Sequence, residues 1–378
     1  MDINKTNTRN GSSKEEWDNY NARMVAQAKG LKLHSDWDCA PLKAAYVGDV
    51  GSVWIPDPNT PEIQNILKRS GSKEQLDFLN KHKGKKLEDV DPETFETLRN
   101  ETDALAKAIK DSGAAVIQTG KDIPFELASF QDSWGGPRWL SMQGHAGFDV
   151  VGDLLIAGWE VGPNRAQELA ARPAINEIMK NSPDAVWLTM PPPVPNRHDP
   201  VPAPFMSIGD FKVMPDKTLL FGHGIPNKAA IKDRSVNRTS GDEYGAEILR
   251  RMVEPYGWKV ENIYYDSQYT YHLDALMMLA GEGVMGLPDV PNGGLLSELP
   301  ERYQDWDIIK VPVEEQGMGA CNTVTTSDEG ILVFEDCPKT SELLAKRGFN
   351  PIPVPFRLNY AITGSGLHCS CTCFWREA

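Results

Sequence analysis

No run in this 378-residue chain approaches the roughly 18–20 consecutive apolar positions that cross a bilayer, so no membrane-spanning helix is expected. Basic residues are in deficit: 39 Lys and Arg against 53 Asp and Glu leave a formal net charge of −14. A face that neutralises phosphates needs the opposite balance, so the expectation is no nucleic-acid partner. The local basic stretch from Lys68 to Lys86 is interleaved with acids and reads as solvated helix and loop. Phosphate-cradling loops are missing too. No Gly-x-Gly-x-x-Gly or Gly-x-x-x-x-Gly-Lys-Ser/Thr stands at a strand–helix junction, which removes the main support for a nucleotide cofactor. Cysteine is sparse. Of the six, Cys369, Cys371 and Cys373 crowd into one short stretch, unlike the disulfide framework of a small secreted domain. The opening MDINKTNTRNGSSKEEWDNY has no apolar core and reads as no secretory signal, so a reducing cytoplasm is the expected compartment.

What is present is a soluble globular composition, 40% hydrophobic. Residues 1–30 read as a polar arm, helical from Lys14 to Ala28, ahead of a catalytic body spanning 31–378. The pattern then predicts a strand at Ala44–Val47, a helix at Pro92–Asp111 stopped by Gly113, and a strand at Ala114–Ile117. A strand is expected over Val150–Ile156 and a helix over Arg165–Lys180, interrupted near Pro173. The Pro-rich 190–204 segment reads as loop. Further on come a strand at Lys217–Phe221, a helix at Asp242–Val253 and a strand at Tyr271–Leu279. The series ends with a strand at Gly330–Phe334, a helix at Ser341–Arg347 closed by Gly348, and a strand at Ile352–Val354. Helix-then-strand pairs at 98–117, 242–265 and 339–354 have similar lengths, which points to internal structural repeats.

Four segments hold residues with chemistry to offer. Gly364-Ser365-Gly366-Leu367-His368-Cys369 is a flexible turn leading into a cysteine at the mouth of a strand. Packed cysteines are the plain alternative, and a metal site is another. Alternation along a strand would set Cys369, Cys371 and Cys373 on one face, whereas zinc favours two to four intervening residues. His272-Leu273-Asp274 would place an imidazole and a carboxylate on one strand face. Asp210, in the turn Ile208-Gly209-Asp210-Phe211, could grip a guanidinium by paired charge-assisted bonds. Asn237-Arg238-Thr239-Ser240-Gly241 opens a helix, and simple capping explains it equally well.

In this order the four segments resemble the guanidino-group-modifying superfamily, and the amidinotransferases most closely. Gly364–Cys369 resembles the family's Gly-Gly-Gly-Phe-His-Cys terminus, His272-Leu273-Asp274 its His-x-Asp segment, and Gly209-Asp210-Phe211 its Ala-Asp-Phe turn. Asp36-Trp37-Asp38 with Pro41-Leu42 and Tyr46-Val47-Gly48 is similar to the family's opening. Val150-Val151-Gly152-Asp153 is similar to its Val-Val-Gly-Asn strand, and Asn322 matches a late asparagine. The resemblance spans about residues 34–376 and implies an α/β fold, a five-bladed α/β propeller (pentein) of ββαβ repeats. It implies Cys369 as nucleophile, His272 as proton shuttle, Asp210 as guanidinium ligand and Asp274 as orienting group. Arg238, Asn322, Arg138 and Asp149 are the remaining substrate-binding candidates. The family's first guanidinium-binding aspartate falls here on Ala146, and Asp149 could replace it only if the loop bends differently. The arginine that the family places beyond His-x-Asp for a substrate carboxylate is absent from Gly286–Val290. The implied partners are a small guanidino donor, with arginine the first candidate, and an amine acceptor. No cofactor, metal or membrane is implied, and a homodimer is compatible. Hydrolysis of a guanidino compound is the alternative activity, and a non-catalytic metal-binding propeller the alternative outside enzymes.

Overall fold

The structure is a computed structural model of the chain and describes residues 12–48, 55, 57–59, 64, 73–120, 123–124, 147–158, 166–190, 206–233 and 241–378. Its strands are β1 (His34–Ser35), β2 (Leu42–Val47), β3 (Ala115–Gln118), β4 (Phe148–Val151), β5 (Leu154–Ala157) and β6 (Val186–Thr189). They continue with β7 (Phe211–Val213), β8 (Thr218–Ile225), β9 (Lys259–Asp266), β10 (Met278–Gly281) and β11 (Val284–Pro288). The last are β12 (Asp307–Val311), β13 (Val324–Thr325), β14 (Gly330–Phe334), β15 (Asn350–Val354) and β16 (Cys371–Arg376).

Among the described residues these strands form five small sheets. Each repeats one pattern: an antiparallel pair, then a third strand parallel to the second. The triples are β16–β2–β3, β4–β5–β6, β7–β8–β9, β10–β11–β12 and β13–β14–β15. β1 adds a fourth strand alongside β16. A parallel neighbour demands a crossover. Helices fill these connections at Pro92–Asp111, Ala166–Lys180, Glu243–Val253, Glu301–Gln304 and Pro338–Ala345. The three helix–strand pairs expected from the sequence are thus three of five such units.

Local chemistry sets the helix ends. Asp91 caps Pro92–Asp111 by accepting the Thr94 N–H, with Pro92 at the first helical position. Asp242 does the same for Glu243–Val253 through the Gly245 N–H at 2.6 Å. The helix Lys14–Ala28 starts in a Ser13–Glu16 capping box and buries Tyr20, Met24 and Ala28. It docks on the Ala166–Lys180 helix, where the Tyr20 hydroxyl donates to the Ala170 carbonyl at 2.6 Å.

Four expectations need correction. Val150–Ile156 is not one strand but the hairpin β4–β5, turned at Gly152 (φ 57°) and Asp153, with Val151 opposite Leu154. The helix Ala166–Lys180 runs through Pro173 without the expected interruption. Tyr271–Leu279 is not a strand. Leu273–Ala275 is a 3₁₀ turn and pairing starts only at Met278. The reason is spacing: Leu273, Leu276 and Met277 are all buried in one cluster, a helical period and not an alternating one. Finally, Cys369 lies in the turn before β16, so it does not share a strand face with Cys371 and Cys373. The Pro-rich segment beyond Met190 lies outside the described residues.

Candidate active site

The site grows from the turns that lead into the first strand of four sheets. Ahead of β16, Gly364 (φ 71°) ends the helix Arg357–Thr363, and Leu367–Ser370 turn the chain so that Cys369 precedes the strand by two residues. Ahead of β13, Asn322 holds this turn. Its side-chain oxygen accepts the Cys369 N–H at 3.1 Å. Its amide donates to the Cys369 Sγ at 3.1 Å and to the Asp274 carbonyl at 3.2 Å. Ahead of β10, Asp274 is fully buried, and its Oδ2 accepts from the Cys369 thiol at 3.3 Å and from His368 Nδ1 at 3.0 Å.

Ahead of β7, Asp210 is fully buried too. Its Oδ2 accepts the Ser207 N–H at 2.7 Å, closing a one-turn capping box. His272 packs directly on this turn: a Cβ on Gly209 would stand 2.7 Å from His272 Nδ1. Gly241 closes the other side, since a Cβ there would lie 2.8 Å from Asp210 Oδ2. The buried Leu273 joins His272, which packs on the turn that carries Asp210, to Asp274, which meets Cys369, so both neighbourhoods are tied through the 3₁₀ turn Leu273–Ala275.

Of the six cysteines Cys369 alone is not buried. The residue is only partly exposed, and the desolvation of its sulfur by the surrounding atoms, followed by the charge of Asp274, pushes its thiol well above the ordinary value. In the free protein the thiol therefore keeps its proton at neutral pH, and a cation placed beside it would reverse the electrostatic part of that penalty.

Asp149 sits on β4. Its Oδ1 accepts the N–H of Val150 at 2.8 Å, and its charge bears on Cys373 within β16. Cys371 and Cys373 are buried, and the hydrogen bond between them raises the thiol of Cys371 and lowers that of Cys373, with Arg376 alongside. Arg138, Arg238 and the Ala146 position lie outside the described residues. The parts played by two residues escaped the sequence reading. Lys212, on β7, is 3% exposed, with its Nζ 3.4 Å from His368 Nε2 and 3.5 Å from Asp38 Oδ2. His368 entered the sequence reading as the neighbour of Cys369 and, with the three cysteines, as part of the metal alternative, not as a partner of Asp274. A lysine between the core residues Phe211 and Val213 was the available signal.

Set among known structures, the chain resembles two in particular at TM-score 0.68 and 18% identity. One is SxtG, an amidinotransferase from Microseira wollei in the saxitoxin biosynthetic pathway, over 92% of this chain and 98% of that one. The other is the inosamine-phosphate amidinotransferase StrB1 from Streptomyces griseus, over 93% and 98%. The chain has the amidinotransferase fold. The DDAH from Pseudomonas aeruginosa complexed with citrulline is also similar, at TM-score 0.55 and 13% identity, over 88% of this chain and 99% of that one. No protein-family model matches the chain, and no curated protein matches it at a significant level.

Proposed function

We propose that this chain is an amidinotransferase that carries an amidino group on Cys369 from a guanidino donor, arginine being the first candidate, to an amine. The observation that supports it most is the surrounding of Cys369. The one thiol of a partly exposed cysteine is held by Asn322 and faces the buried carboxylate of Asp274, and His272, two residues before Asp274, packs on the turn that carries Asp210.

In this reading a guanidinium enters between the carboxylates of Asp210 and Asp274. Its positive charge offsets the negative charge that keeps the Cys369 thiol protonated, and the thiolate attacks the guanidinium carbon. The bond from that carbon to the departing nitrogen breaks, and His272 protonates the amine as it leaves. The proton lost by the thiol passes to His272, which gives it to the leaving amine, so the step needs no outside acid. An incoming amine then attacks the amidino carbon, gives a proton to His272 and releases the thiol. Water in place of that amine gives hydrolysis, the second reading, which the likeness to DDAH supports. The five like-patterned sheets support a ring of five blades closed where β16 pairs with β2, forming one catalytic body from about residue 31 to 378. A reducing cytoplasm belongs to the same reading.

Intact-mass measurement after mixing the protein with arginine and other guanidino compounds tests this. The expected result is a gain of one amidino group, mapped to Cys369. With arginine and hydroxylamine, hydroxyguanidine marks transfer, and a ureido product formed without any amine acceptor marks hydrolysis. No adduct with any guanidino compound, together with about one equivalent of bound zinc, would sink both readings.

A further inference from the structure

Lys212 is the middle residue of β7, flanked by Phe211 and Val213, which are both core residues. At 3% exposure its ammonium needs partners, because an unpaired buried charge is costly. Two groups meet it: the carboxylate of Asp38 at 3.5 Å and Nε2 of His368 at 3.4 Å. An ammonium has three donors and no acceptor. The nitrogen that faces it must therefore present a lone pair.

A neutral imidazole carries one N–H, which then falls on Nδ1. That atom is 3.0 Å from Asp274 Oδ2, and an ionised carboxylate only accepts. Both contacts are satisfied by one state of the ring. An imidazolium would point a second N–H at the ammonium across 3.4 Å, a like-charge contact without water between. Among the described residues, the titratable groups whose contacts bear on the ring include Lys212 and Asp38 on the Nε2 side, Asp274 on the Nδ1 side and Cys369 next along the chain. Tyr360, from the preceding helix, lies near Cys369 and Asp274 and is kept protonated by burial.

We propose that Lys212 is a positioning residue that locks His368 as the neutral ring with its proton on Nδ1, so that His368 and the Cys369 thiol both donate to one oxygen of Asp274. The lock fixes the Asp274 carboxylate in front of the thiol and withholds His368 from acid–base duty, which leaves proton transfer to His272. The catalytic consequence rests on the function proposed above. The state of the ring does not.

The test is ¹⁵N NMR of histidine-labelled full-length protein, with Lys212→Met and Lys212→Arg alongside. In the parent the expected His368 has a protonated Nδ1 and a bare Nε2, unchanged from about pH 8 to about pH 5.5, through the ordinary histidine value of ~6.5. In Lys212→Met the Nε2 should take up a proton at or above ~6.5, because the facing ammonium is gone and Asp274 favours the cation. Lys212→Arg keeps a cation there and should keep the parent pattern. Turnover of Lys212→Met should fall by ~10- to ~100-fold with KM nearly unchanged, as for a displaced catalytic group, and its pH–rate profile should gain an acid limb. A parent ring with its proton on Nε2, a parent ring that titrates near ~6.5, or a Lys212→Met titration identical to the parent's overturns the proposal. If Lys212→Met does not fold, the parent tautomer alone decides. If no guanidino compound reacts at all, the NMR result still stands and only the function proposal fails.

Discussion

Six thiols compete for any electrophile, and accessibility decides among them. Cys373 has the lowered thiol value but is buried beside Cys371, whereas Cys369 is the partly open one. Iodoacetamide should therefore label Cys369 first, and a bound guanidine should protect it. The raised thiol adds a pH signature. The labelling rate should keep climbing with pH beyond ~8.5, where an ordinary cysteine levels off, and a plateau at or below that value would contradict the burial argument. His272 allows a second check: His272→Ala should slow turnover by roughly 10²–10⁴ while the fold survives, and near-normal activity would make the imidazole a packing group over Gly209. At this scale the sequence was legible where a residue type stands in a short ordered motif. Cys369, Asp274 and Asn322 are brought together, and Asp210 with His272 beside them. It was not legible for Lys212 or for the pairing of His368 with Asp274. Those contacts join positions about 156 and 94 residues apart, and nothing local in the sequence encodes them.

Each repeated three-strand unit begins with an antiparallel strand, and the candidate site is built from the residues just ahead of four of them. Asp210 precedes β7 by one residue, Asp274 precedes β10 by four, and Asn322 and Cys369 each precede β13 and β16 by two. Helices were the better read because capping and amphipathic spacing are local: Lys14–Ala28 and Pro92–Asp111 match their expected bounds, whereas the helix expected over Ser341–Arg347 runs from Pro338 to Ala345, Pro338 opening it at the first helical position. Strands were harder. A buried apolar run does not distinguish a strand from a hairpin or a turn, which is how β4–β5 and the 271–277 segment were misread. The two glycines ahead of Cys369 place different demands on the chain. Gly366 has ordinary backbone angles, but a Cβ there would lie 2.3 Å from Asn322 Oδ1, the acceptor of the Cys369 N–H. Gly366→Ala should thus displace Asn322 and cut turnover at least ~10-fold, with a stability loss of roughly 1–3 kcal/mol from overpacking. Gly364 (φ 71°) has open space around it, so Gly364→Ala should cost about 1 kcal/mol of backbone strain and leave turnover nearly intact. Equal activity losses in the two variants would show that the turn's flexibility, not the seat of Asn322, is what matters.

The chain's two ends meet in one sheet, where β16 lies between β1 and β2. Arg376 is buried there and donates to the carbonyls of Ala40 and Thr325, so the last strand is tied to two other parts of the molecule. Cys39 lies in the same region. It is 4% exposed, donates to the Leu279 carbonyl at 3.1 Å, and its thiol is pushed up to about 12 by burial. That shift links the stability of the whole molecule to pH. A thiol whose folded value exceeds its unfolded value of ~8.5 binds its proton more tightly in the native state. The associated stability is complete below ~8.5 and is lost as pH rises from there toward 12. At about pH 10 the unfolded thiol is ionised and the native one is not, a gap of ~1.5 pH units worth about 2 kcal/mol for Cys39. Cys337, also pushed up to about 12, adds in the same direction. Denaturant unfolding at about pH 7.5 and about pH 10 measures this. The parent should lose about 2 kcal/mol more than Cys39→Ala between the two, because the variant has no Cys39 proton to release on unfolding. Equal losses in parent and variant would mean that Cys39 titrates alike in both states and that water reaches the region where Arg376 anchors the last strand.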